Sequence, residues 1–147
     1  MSILESLGNS GYVLALCLAA CGSAFGTGAA GMAALGAWKK CFLQNKNAPF
    51  ILVAFVGAPL SQTIYGMILM NAIKGAPETV SPLTKFTIGL LGGLAMGLSA
   101  WLQGRAGAMA SDALAETKKG FGNYIMVLGI IETVALFVMV FLMTTLR

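Results

Sequence analysis

Four long apolar stretches, separated by three short polar ones, set the pattern of this chain. The first covers roughly Tyr12 to Trp38, the second Phe50 to Ile73, the third Phe86 to Ala110 and the fourth Tyr124 to Leu146. Each meets or exceeds the about 20 residues needed to cross about 30 Å of hydrocarbon. Lipid offers the backbone no hydrogen-bond partners, so runs of this kind must be helices. The breaks are polar: residues 39–47 with Lys39, Lys40 and Lys46, residues 74–85 with Pro77 and Pro82, and residues 111–123. The pattern predicts an all-α membrane protein. Its four transmembrane helices form two tandem hairpins, about 10–74 and about 85–147, within one membrane domain spanning 1–147.

Composition supports lipid as the main solvent. Of 147 residues, 58% are hydrophobic and only 10% charged, against about 25% charged in soluble domains. The net charge of +4 comes without a basic stretch interleaved with aromatics, which argues against nucleic acid as a partner. There is no His, so the commonest general base and metal ligand is missing. The three cysteines, Cys17, Cys21 and Cys41, lack paired spacing and read as small packing residues. Leu18-Ala19-Ala20-Cys21 resembles a lipoprotein cleavage box. The residues before it carry Glu5 and no Lys or Arg, so a retained helix is expected instead.

Lys and Arg are more numerous in the first and third connections (Lys39, Lys40, Lys46, Lys118, Lys119) than in the second (Lys74, Lys85). The positive-inside bias puts loops one and three in the cytoplasm and both termini outside. The halves also resemble each other: Gln62-Thr63-Ile64 parallels Glu132-Thr133-Val134, and Gly26-Thr27-Gly28 echoes Gly104-Arg105-Ala106. Such weak internal repeats are common in membrane transport proteins. Gly22 and Gly26, and Gly89, Gly93 and Gly97, recur at four-residue spacing and give the odd-numbered helices smooth faces. Packing within one bundle and close approach of neighbouring subunits both suit that pattern.

Candidate chemistry centres on one acid. Glu5, Glu78, Asp112 and Glu116 fall near a terminus or in connections, whereas Glu132 lies between Ile130-Ile131 and Val134-Ala135. A mid-membrane carboxylate costs at least a few kcal/mol and is by default a functional-site hypothesis. On the second helix Ala58, Ser61, Gln62 and Tyr65 stand at i, i+3, i+4 and i+7 and share a face. Pro59 cannot donate to the Phe55 carbonyl, and backbone oxygens near such a break can meet cations. Gln103 on the third helix reaches a similar depth. One carboxylate, two amide oxygens, a hydroxyl and the Ala58 carbonyl make an oxygen cage with a single charge. Hard cations prefer oxygen, and one charge suits Na⁺; H⁺ needs no such cage but remains the alternative cargo. Arg105, roughly 200° around the helix from Gln103 at about 100° per residue, should face away and snorkel toward the cytoplasmic end.

The motifs Pro59-Leu60-Ser61-Gln62-Thr63-Ile64-Tyr65-Gly66 and Gln103-Gly104-Arg105-Ala106-Gly107, with Glu132 in the fourth helix, resemble the proteolipid subunit of V-type or A/V-type rotary ATPases. This is the K or c subunit, whose copies form a membrane ring. The resemblance runs over essentially the whole chain and is similar to the sodium-carrying variant. It implies ion binding by Glu132, Gln62, Gln103, Ser61 and the Ala58 carbonyl, with Tyr65 hydrogen-bonding the carboxylate. Ser61 stands where Thr is more usual. Also implied are a homo-oligomeric ring in a bacterial or archaeal plasma membrane, a stator subunit with an essential Arg, and a central-stalk subunit at the cytoplasmic loops. The chain itself would be non-catalytic, and it carries no GxxxxGK[ST] phosphate loop. No cofactor beyond the transported ion is implied. Two other classes compete: a small stand-alone proton-coupled transporter, which would favour an inverted repeat, and a purely structural scaffold.

Overall fold

The computed structural model describes Ile3 to Arg147, with the backbone alone at Leu4. Helix α1 runs over Ile3–Leu43. The second span is broken: a 3₁₀ turn Phe50–Leu52, α2 over Val53–Gly57, a second 3₁₀ turn Ala58–Leu60, then α3 over Ser61–Lys74. Helices α4, Pro82–Thr117, and α5, Phe121–Thr144, complete the chain. Four spans, Glu5–Leu43, Phe50–Lys74, Pro82–Thr117 and Phe121–Thr144, are long and apolar enough to cross a membrane.

The helix ends differ from the hydropathy pattern. Lys39 and Lys40 fall inside α1, and residues 111–117 continue α4, so the connections shrink to 44–49, 75–81 and 118–120. Hydropathy marks where lipid stops, whereas a helix continues into water while its last turns find partners. Here Lys40 of α1 pairs with Glu116 of α4. Lys118 caps the end of α4 in the left-handed region (φ 57°) and sends its Nζ to the Asn47 carbonyl at 2.7 Å. Trp38 Nε1 donates to the Pro49 carbonyl at 2.8 Å. The first and third connections are therefore tied together at one end of the bundle. At the other end Ser81 caps α4 by accepting from the Thr84 amide at 3.1 Å, with Pro82 at the first helical position.

Helices α1 and α4 meet backbone to backbone. A side-chain carbon built at Gly22 would stand 2.0 Å from the Gly97 carbonyl oxygen, and one at Gly104 would stand 2.1 Å from that of Gly26. The glycine spacing of both helices thus serves a seam inside one chain, which only hydrogen can fill at these distances. Apolar residues collect in two cores on either side of the mid-bundle level. One includes Ala15, Leu69, Met96 and Met139; the other includes Ala34, Leu52, Phe55 and Leu128. Of the cysteines, Cys41 is buried in the second core, whereas Cys17 and Cys21 are exposed on α1.

Arg105 corrects one expectation. It faces away from Gln103, but its guanidinium lies over the Trp101 ring, 5.6 Å from the centroid. Helical side chains lean toward the N-terminus, and that lean sets the guanidinium on a ring one turn back.

The seam makes a test. Gly104→Ala should lower the thermal unfolding midpoint of the purified protein in detergent by several degrees, because the new methyl meets backbone that cannot move aside. Gly122→Ala, where an added carbon meets nothing within 4 Å, should leave the midpoint within error. Equal midpoints for the two variants would contradict the seam.

Candidate ion-binding site

Pro59 shapes the second span. Without an N–H it leaves the Phe55 carbonyl without its helical donor, and the turn tightens to 3₁₀ over Ala58–Leu60. Gly107 of α4 makes room there, since a side-chain carbon at that position would lie 2.9 Å from the Phe55 oxygen. The Ala58 carbonyl accepts from the Ser61 amide instead. The Ser61 hydroxyl lies 3.1 Å from that same carbonyl and 3.2 Å from Gln62 Oε1, so its one proton is shared between them. Three oxygens are thereby gathered beside the break.

From there a chain of hydrogen bonds crosses the bundle. Gln62 Nε2 donates to Gln103 Oε1 at 2.8 Å, and both side chains are fully buried, at 0% exposure. Gln103 Nε2 donates to Glu132 Oε2 at 3.1 Å and to the Leu128 carbonyl at 3.0 Å. Tyr65 OH donates to Glu132 Oε1 at 2.7 Å. Two acceptors around the Gln103 nitrogen fix which way its amide points, and that in turn orients Gln62. All six residues singled out from the sequence take part in this one network.

The carboxylate stands at the middle of the 24-residue α5, about 16–18 Å from either end at 1.5 Å per residue. Glu132 is half-buried by its own chain, so part of its surface is left for what lies outside. Two contacts escaped sequence reasoning. Ser99 donates to the Ile131 carbonyl at 2.8 Å, and the Leu128 carbonyl receives Gln103. Ser99 stands one turn before Gln103 on the same face of α4, a spacing that could have flagged it. The Leu128 carbonyl carries no side-chain signal.

Residues 86–144, which hold Gln103 and Glu132, match the family described as the C subunit of ATP synthase. The chain is also 34% identical over 131 residues to the A-type ATP synthase subunit K of Methanocaldococcus jannaschii. The family match thus covers the second half of the chain, and the likeness to the archaeal subunit runs through both halves. The similarity to the archaeal protein takes in 89% of this chain and 57% of that one, so the chain spans little more than half the length of that relative. The match agrees with the all-helical architecture, and together with the four apolar spans it indicates an integral membrane protein.

Tyr65→Phe should free one carboxylate oxygen while keeping the ring in place. Carbodiimide modification of Glu132 at fixed pH should then run several-fold faster in membranes, read by mass spectrometry of the labelled peptide. An unchanged rate would mean that the hydroxyl does not guard the carboxylate.

Proposed function

We propose that the chain is an ion-carrying rotor ring subunit of a V-type or A-type ATPase membrane sector, and that its cargo is Na⁺. Glu132 supplies the charge. Gln62, Gln103, Ser61 and the Ala58 carbonyl supply neutral oxygens, and Tyr65 holds the carboxylate. The observation that carries this reading is the buried amide pair ending on Glu132. Rotation of the Gln62 carboxamide by 180° about its last bond turns its oxygen from Ser61 toward Gln103 Oε1. Two amide oxygens facing each other repel unless a cation lies between them, so the same atoms that bond to each other can bond to an ion. A site for a proton has no use for that second arrangement.

The rest of the machine belongs to the same proposal. Copies of the chain form a ring, each holding one ion in the plane of Glu132. A stator subunit with an essential Arg displaces the ion as the ring turns, and a central-stalk subunit meets the connections at 44–49 and 118–120. Lys39, Lys40, Lys46, Lys118 and Lys119 mark that end as cytoplasmic. ATP chemistry belongs to the partners, and this chain is non-catalytic.

Carbodiimide labelling of Glu132 at fixed pH tests the cargo. Na⁺ should protect and K⁺ should not, and Gln103→Leu should raise the Na⁺ concentration for half-protection at least tenfold, roughly the loss of one charged-group contact of about 1.5 kcal/mol. Labelling indifferent to Na⁺ would favour H⁺. Normal sodium protection in Gln103→Leu would remove α4 from the site.

A further inference from the structure

Buried hydroxyls in this chain mostly go to backbone carbonyls, as Ser99 does to Ile131 and Ser111 to Gly107. Two on α1 do not. Ser23 Oγ and Thr27 Oγ1 are buried atoms with no hydrogen-bond partner among the described residues, and Ser23 is only 2% exposed. Burying an unpaired hydroxyl costs about 1–3 kcal/mol, so the position of these two needs a physical reason.

Their place in the bundle supplies one. Ala19, Ser23, Thr27 and Gly31 are spaced four apart and share a face of α1. At one end of this row Ala19 Cβ lies 2.7 Å from where a side-chain carbon at Gly66 would sit. At the other end a carbon at Gly31 would lie 3.7 Å from Val56 Cγ1, and one at Gly26 would lie 3.0 Å from Pro59 Cβ. The two hydroxyls therefore lie against the stretch between Val56 and Gly66. That stretch contains the broken turn, the Ala58 carbonyl and Gln62. A polar group facing other polar groups beyond direct reach is the usual setting of a bridging water. Buried waters make about three hydrogen bonds, and the backbone oxygens of a broken turn are acceptors of the kind such a water needs.

We propose that Ser23 and Thr27 hold an interior water against the broken turn and through it position the Ala58 carbonyl and Gln62 for the ion. This rests on reading the Ala58–Glu132 network as the ion site. It makes α1, which contributes no residue to that network, a positioning element for it.

Two measurements on the assembled membrane protein decide the matter. A structure at water-resolving resolution should show ordered density within hydrogen-bond distance of both Ser23 Oγ and Thr27 Oγ1. In the labelling assay, Ser23→Ala and Thr27→Val should each raise the Na⁺ concentration for half-protection by roughly fivefold, the worth of about one neutral hydrogen bond. Thr27→Ser, which keeps the oxygen and drops the methyl, should restore the parent value and so separate polarity from packing. Unchanged half-protection in both variants, or no ordered water between the hydroxyls and the broken turn, overturns the inference. If the parent protein shows no sodium protection at all, the sodium reading fails and the density alone judges the water.

Discussion

The hydrogen bond between the Gln62 and Gln103 side chains is the constraint on which the middle of this protein turns. Two carboxamides sit at 0% exposure between two apolar cores, out of reach of lipid and of bulk water. Such bonds between helices are worth about 1 kcal/mol or less in membranes, too little to explain why the residues are there. The larger figure is the about 1–3 kcal/mol lost when one partner of a buried pair goes missing. The pair therefore fixes the relation of the second span to α4 more by what its absence would cost than by what it adds. Because Gln103 then spends its nitrogen on Leu128 and Glu132, α5 is locked to the same level.

That level is where the backbone is least regular. Pro59, whose Cβ lies toward Gly26 of α1, interrupts the second span, and the 3₁₀ turn brings Ala58, Ser61 and Gln62 oxygens together. A continuous α-helix would pair the Ala58 carbonyl with an amide four residues on; here it accepts from the Ser61 amide and lies beside the Ser61 hydroxyl. The close seam of α1 on α4 works alongside this break. With glycine at the contacts, the two helices approach until backbone meets backbone, and the broken span can lie across both. A closely packed pair of helices thus carries a broken third one, an arrangement suited to the amide rotation that the proposed ion site needs.

Much of this was legible in the residue order because lipid leaves few choices. Long apolar runs must be helices, and a lone acid inside one must meet polar groups at its own depth, which singled out Gln62, Gln103, Ser61, Tyr65 and the Ala58 carbonyl. Helix ends were not legible, since Lys40 looks like a boundary until its partner Glu116 is seen. Nor was the use of the Leu128 carbonyl, which depends on the rotation of α5 about its axis. The glycine spacing alone fitted both an internal seam and an interface between neighbouring copies, and only the geometry of α1 against α4 places it within the chain. The face of Arg105 is legible from the helix period, but its reach is not, because the side chain leans back over the Trp101 ring.

The central claim is that the buried oxygens around Glu132 form a site for one monovalent cation. Equilibrium binding of radioactive sodium to the purified, detergent-solubilised assembly tests it most directly. The account predicts saturation at one Na⁺ per chain, no competition from K⁺, and loss of binding in Glu132→Gln. Sodium binding that survives that substitution, or that never saturates, would contradict it.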